Sequence, residues 1–110
     1  GILIIDHRNF DYILENQKAP ISNIYYDGKT ENIDIEFKKE NNKVKIVQFN
    51  YCMEGLKFEL QYYPHKLVDF TNLLINSLNI KDRENLEILY DYQPTSNKEC
   101  GFIQYIVKNN

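Results

Sequence analysis

Residues 32–51 read NIDIEFKKENNKVKIVQFNY, and they describe a β-hairpin. Ile33, Ile35 and Phe37 alternate with Asp34, Glu36 and Lys38. Successive side chains of a strand point to opposite faces, so this alternation gives one dry face and one wet face. The polar turn Glu40-Asn41-Asn42-Lys43 follows, and Val44–Tyr51 returns as the antiparallel partner. The apolar pattern of the return strand changes phase near Ile46-Val47, which predicts either a bulge or a strand buried on both faces.

Moving outward, the chain turns again at Glu54-Gly55, and Lys57–Tyr63 alternates Phe58, Leu60 and Tyr62 with Glu59 and Gln61. This extends the hairpin into a meander. A helix is predicted from Pro64 to about Asn79, with Pro64 at the first helical position, where its missing N–H costs nothing. Leu67, Phe70, Leu74 and Leu78 form its apolar stripe, widened by Leu73. Leu86–Tyr92 and Phe102–Lys108 read as two further strands, joined by the polar loop Gln93–Gly101. On the other side of the hairpin, Asp27-Gly28 is a turn signal and Ser22–Tyr26 a strand. Ala19-Pro20 ends a short helix within Arg8–Asn16, whose Phe10, Ile13 and Leu14 have helical spacing. Ile2–Ile5 reads as a buried strand. These elements predict an α+β fold in a single globular domain, 1–110. Its mostly antiparallel sheet has about five to seven strands, and one main helix (64–79) packs on one face.

Composition narrows the function. The chain has 110 residues, is 43% hydrophobic and 26% charged, and fits one globular domain. Fourteen Ile, fourteen Asn, eleven Lys and nine Tyr stand against ten Ala, Gly, Pro and Arg together. That skew follows AT-rich codons, so single Asn and Lys residues carry little functional weight. The net charge is −3. The only cationic cluster, Lys38, Lys39, Lys43 and Lys45, has Glu40 inside it, which argues against a nucleic-acid partner. The longest apolar run, Ile2–Ile5, is far short of the roughly 20 residues of a membrane span. No secretory signal is visible, and two Cys give no dense disulfide framework, so a cytoplasmic protein is expected.

The candidate chemistry is sparse. His7, Cys52, His65 and Cys100 lack metal-ligand spacing, and no metal or cofactor is expected. Asp27-Gly28-Lys29-Thr30 lacks the upstream Gly of a phosphate loop, and a hairpin turn accounts for it. Asp6-His7-Arg8 follows a strand, where His7 flanked by Asp6 could act as acid or base. Aromatic residues are the richer signal. Tyr90 and Tyr92 share a face if residues 86–92 are one strand, with Glu87 and Asp91 flanking them, and Tyr63 and Glu59 repeat the combination. Tyr interleaved with carboxylates suits a surface for a basic protein partner.

The composition and these groups predict a non-catalytic protein-binding module, most concretely a small bacterial immunity or inhibitor protein that neutralises a basic toxin domain such as a nuclease. Its contacts would be Tyr90, Asp91, Tyr92, Glu87, Tyr63 and Glu59. The alternative is a small hydrolase-type enzyme using His7 with Asp6, or a Cys–His pair. A third reading makes the chain an accessory domain of a larger protein.

Overall fold

Asn41 and Asn42 both take the left-handed conformation, at φ 53° and 64°. A two-residue turn of this kind matches the twist of the strands it joins, and Asn tolerates it better than most residues. The flanking strands are β4 (Asn32–Glu40) and β5 (Lys43–Met53), as the alternation predicts. The computed structural model describes residues 1–19, 25–26, 29–30, 32–53 and 55–108. The elements before the hairpin are β1 (Ile2–Arg8), α1 (Phe10–Asn16), β2 (Tyr25–Tyr26) and β3 (Lys29–Thr30). After it come β6 (Leu56–Tyr62), α2 (Leu67–Ser77), a 3-10 turn at Arg83–Asn85, β7 (Leu86–Tyr90) and β8 (Phe102–Lys108). The chain divides into two compact units, Gly1–Pro20 with His65–Asn110, and Ile21–Pro64.

In the unit Ile21–Pro64, β4, β5 and β6 form an antiparallel sheet in that order. Val47, Phe49 and Tyr51 of the central strand are buried. Across the register they meet Tyr62, Leu60 and Phe58 of β6. Tyr51 stacks on Phe58 at 4.8 Å, and Phe49 meets Tyr62 edge-on at 5.4 Å. The phase change near Ile46-Val47 is a bulge: Lys38 faces Ile46 and Lys39 faces Val44, leaving Lys45 as the extra residue. The opposite face is polar. Gln48 is buried there, with its amide donating to Asn50 (2.8 Å) and Glu59 (2.9 Å) and accepting from Gln61 (2.8 Å). A polar side chain on a sheet face stays buried only when partners satisfy it, and here the neighbouring strands supply them. β2 and β3 pair antiparallel, with Tyr25 opposite Thr30. Asp27-Gly28 and residues 22–24 of the expected strand lie outside the described residues.

In the other unit the sheet order is β1-β8-β7, with β8 antiparallel to both neighbours. β1 and β7 therefore run parallel. Ile103, Tyr105 and Val107 of β8 are buried with Leu86, Cys100 and Leu74, and Leu67, Phe70 and Ile75 of α2 pack against them. The fold class is thus α+β, but with separate three-stranded sheets and two helices in place of one larger sheet.

Three expectations are corrected. α2 starts at Leu67, not Pro64, because the acceptor for its first N–H comes from elsewhere: Leu67 N–H donates to the Asp11 carboxylate at 2.8 Å. Its buried stripe is Leu67, Phe70, Thr71, Leu74 and Ile75, while Leu73 and Leu78 are exposed. Ile2–Ile5 is not a buried strand. β1 lies at the sheet edge, and alternation turns Ile2 (68% exposed) and Ile4 (62%) away from the helix-covered face. Among the described residues, no helix is long and apolar enough to cross a membrane.

Candidate functional site at the carboxyl ends of two parallel strands

β1 and β7 flank β8, are both antiparallel to it and so run parallel to each other, which sets both their carboxyl ends where β8 begins. Asp6, His7 and Arg8 end one strand, and Tyr90 ends the other, followed by a tight turn. Alternation splits the first group: Asp6 and Arg8 share the open face, and His7 faces the helices.

The His7 ring stacks on Phe70 of α2 at 4.7 Å with an interplanar angle of 11° and contacts Phe10 of α1 at 5.0 Å; His65 lies 6.3 Å away. Its Nε2 is enclosed without a hydrogen-bond partner. Burial, reinforced by the nearby His65, holds its pKa below the usual histidine value, so the neutral ring is favoured. Asp6, the partner expected for it, lies on the other face, where Oδ1 accepts from Gln104 Nε2 at 2.8 Å. An Asp6–His7 acid–base pair is therefore not formed. The two free thiols lie in different units. Cys100 is fully buried beside Asn9, and burial together with Asp91 raises its pKa to about 11, the reverse of what a nucleophile needs.

The 90–93 turn overturns the reading of Tyr90 and Tyr92 as one strand face. β7 stops at Tyr90, and Asp91 (φ 48°) and Tyr92 (φ 64°) are both left-handed. Side chains lock this strained backbone. Asp91 accepts from Gly101 N–H (3.0 Å) and Phe102 N–H (3.0 Å), and Gln104 Oε1 accepts from Tyr92 N–H (2.8 Å). Tyr92 is 65% exposed, and its hydroxyl reaches Asp6 Oδ2 at 3.5 Å. Thus Tyr90, Asp91 and Tyr92 are together in one turn, with the Asp91 carboxylate committed to the backbone. Glu87 pairs with Lys108 at 3.5 Å. Glu59 and Tyr63 belong to the other unit.

Arg8, not selected as a site residue by the sequence reading, completes the open face of this end. Its guanidinium lies 4.9 Å from the centroid of the Phe102 ring. The signal available was the alternation that sets it on the same face as Asp6. This unit also holds cavities of about 550 and 480 Å³. The second is lined in part by Asp11, Tyr12, Glu15 and Glu99. No group of three or more His, Cys, Asp or Glu among the described residues is placed to hold a metal ion.

No family model matches the chain. Curated relatives do. Glycine N-methyltransferase from Rattus norvegicus is 36% identical over 98% of this chain and 42% of its own length. The Mus musculus enzyme is 34% identical over 100% of this chain and 43% of its own, and the Homo sapiens enzyme 37% over 86% and 36%. This chain is similar to glycine N-methyltransferases. It spans about two-fifths of the length of these relatives. The relatives are enzymes, which overturns the expectation of a non-catalytic immunity or toxin-inhibitor protein. A hydrolase using His7 with Asp6 or a Cys–His pair has no support from them either. The acidic, Tyr-rich character behind the inhibitor reading is a property of composition, and composition does not distinguish an inhibitor surface from part of an enzyme.

Proposed function

We propose that this chain forms part of an enzyme that transfers a methyl group to the nitrogen of glycine. The observation that carries the reading is 34–37% identity over 86–100% of the chain to enzymes of that name. Two physical features support it. Ile2 and Ile4 are exposed on the open sheet face, where Ile106 and Leu89 lie half-buried. An apolar face of this kind suits cover by further protein, and the relatives have more than twice this chain's matched length. The second feature is Arg8. Glycine presents a carboxylate, and a guanidinium offers paired N–H donors that match it. Arg8 stands at the end of β1 on the open sheet face, its guanidinium 4.9 Å from the centroid of the Phe102 ring. We assign it the glycine carboxylate. The two free thiols also suit the reducing cytoplasm.

The test is to incubate the full-length protein with glycine and S-adenosylmethionine as methyl donor, and to detect N-methylglycine by mass spectrometry. Arg8→Ala should raise the glycine KM by roughly 10- to 100-fold, the worth of hydrogen bonds to a charged group. Absence of N-methylglycine with the wild-type protein would overturn the assignment.

A further inference from the structure

Arg8 and Phe102 form the last rung of the ladder between β1 and β8, directly opposite each other on the open face. Opposed residues of an antiparallel pair have Cβ atoms about 4.5–5.5 Å apart, so their side chains are neighbours. The backbone around this rung is tied down. Asp91 accepts from the N–H groups of Gly101 and Phe102, each at 3.0 Å, and Asn9 N–H donates to the Gly101 carbonyl at 3.1 Å. The ladder and these bonds fix where both residues start, and the freedom that remains lies in their side chains.

An arginine carries its charge on a long, flexible stem, and ordering such a side chain is among the larger entropic costs of forming a contact. Here the guanidinium rests 4.9 Å from the centroid of the Phe102 ring. A cation within about 6 Å of an aromatic centroid is drawn to the negative face of the ring. That attraction needs none of the guanidinium's N–H edge, and the edge is what a carboxylate binds. The two interactions are therefore compatible, and the first orders the group for the second. A leucine at position 102 would cover Arg8 but would offer no such face.

We propose that Phe102 is a positioning residue for glycine: its ring holds the Arg8 guanidinium at the end of β1 in the orientation that receives the substrate carboxylate. This rests on the assignment of Arg8 to that carboxylate. Phe102 acts on substrate only through Arg8, so its effect falls on glycine and vanishes when Arg8 is removed.

The test is a two-residue mutant cycle in the full-length protein, read as KM for glycine and KM for S-adenosylmethionine. Phe102→Leu, which keeps apolar bulk without a ring, should raise the glycine KM about 2- to 30-fold and leave the methyl-donor KM within about twofold. Phe102→Tyr retains the ring and should stay within about twofold of the wild type. In an Arg8→Ala background, Phe102→Leu should change the glycine KM by less than about twofold, because the group it orders is gone. Loss of folded protein alone would lower the apparent kcat and move neither KM. An unchanged glycine KM in Phe102→Leu, an equal rise in the Arg8→Ala background, or Phe102→Tyr behaving like Phe102→Leu would each overturn the proposal. Arg8→Ala with an unchanged glycine KM would remove the assignment beneath it and overturn it as well. If the wild type forms no N-methylglycine, the methyl-transfer reading fails by itself. Broadening of the carboxyl NMR line of isotope-labelled glycine on titration with protein then reads the contact directly. Wild type and Phe102→Tyr should broaden that line more than Phe102→Leu and Arg8→Ala; no broadening by the wild type, or equal broadening by all four, would overturn the proposal.

Discussion

Asn9 joins the end of β1, the start of α1 and the loop before β8, and replacing it gives a graded test of that junction. It is 3% exposed. Its Oδ1 accepts from Tyr12 N–H at 3.2 Å and caps α1, while Nδ2 donates to the carbonyls of Cys100 (2.9 Å) and Lys98 (3.0 Å). Asn9→Ala loses the cap, worth about 1 kcal/mol, and leaves the Cys100 carbonyl without this donor, at about 1–3 kcal/mol. The expected loss is about 3 kcal/mol, read as a shift in the urea midpoint by circular dichroism, since the chain has no Trp. Asn9→Ser keeps a capping oxygen but cannot span to both carbonyls, and should lose about 2 kcal/mol. Asn9→Asp is the decisive variant. It caps as well as Asn, yet at pH 7 it turns a carboxylate toward two carbonyl oxygens and should be at least as destabilising as Ala. Stability should recover in part as acid protonates it and restores one donor. If Asn9→Asp matched the wild type at pH 7, the donor half of this account would be wrong and Asn9 would be a helix cap only.

Other perturbations follow from the same geometry. His7 has its folded-state pKa lowered, chiefly by burial, so the unfolded chain takes up the proton first. Stability should therefore be flat at neutral pH and fall below about pH 6.5 by at most about 1.4 kcal/mol per pH unit, levelling off once the folded state also protonates. Urea midpoints between pH 7.5 and 5 measure this, and His7→Phe should flatten the slope; a slope unchanged in that variant would assign it to other groups. Asp91→Ala removes the acceptor for Gly101 and Phe102 N–H and should lower stability by about 1–2 kcal/mol. Asp91→Asn, which retains one oxygen and tolerates the left-handed backbone, should lose less, with both variants compared by their urea midpoints. Cys52 is exposed and Cys100 buried with a pKa raised to about 11. Iodoacetamide with mass spectrometry should label Cys52 alone in the native protein and both thiols in urea; rapid native labelling of Cys100 would contradict its burial.

The sequence by itself determined the local elements. Alternation at 32–38, the Asn41-Asn42 turn and the phase change at Ile46-Val47 depend only on neighbours along the chain, so the hairpin and its bulge were legible, as was β8 at Phe102–Lys108. The same local logic failed where a distant group took over. Asp11 supplies the acceptor for α2 and moves its start past Pro64, and Asp91 and Gln104 hold a left-handed turn that breaks the expected strand at Tyr90. The candidate site was half legible. Asp6-His7-Arg8 stood out after a strand, but only the sheet showed that His7 faces the helices between aromatic rings while Asp6 and Arg8 share the open face. Burial depends on which strand becomes an edge: Ile2 and Ile4 look like core by composition, yet β8 pairs with only one side of β1, and that pairing is settled by contacts a hundred residues apart in the chain.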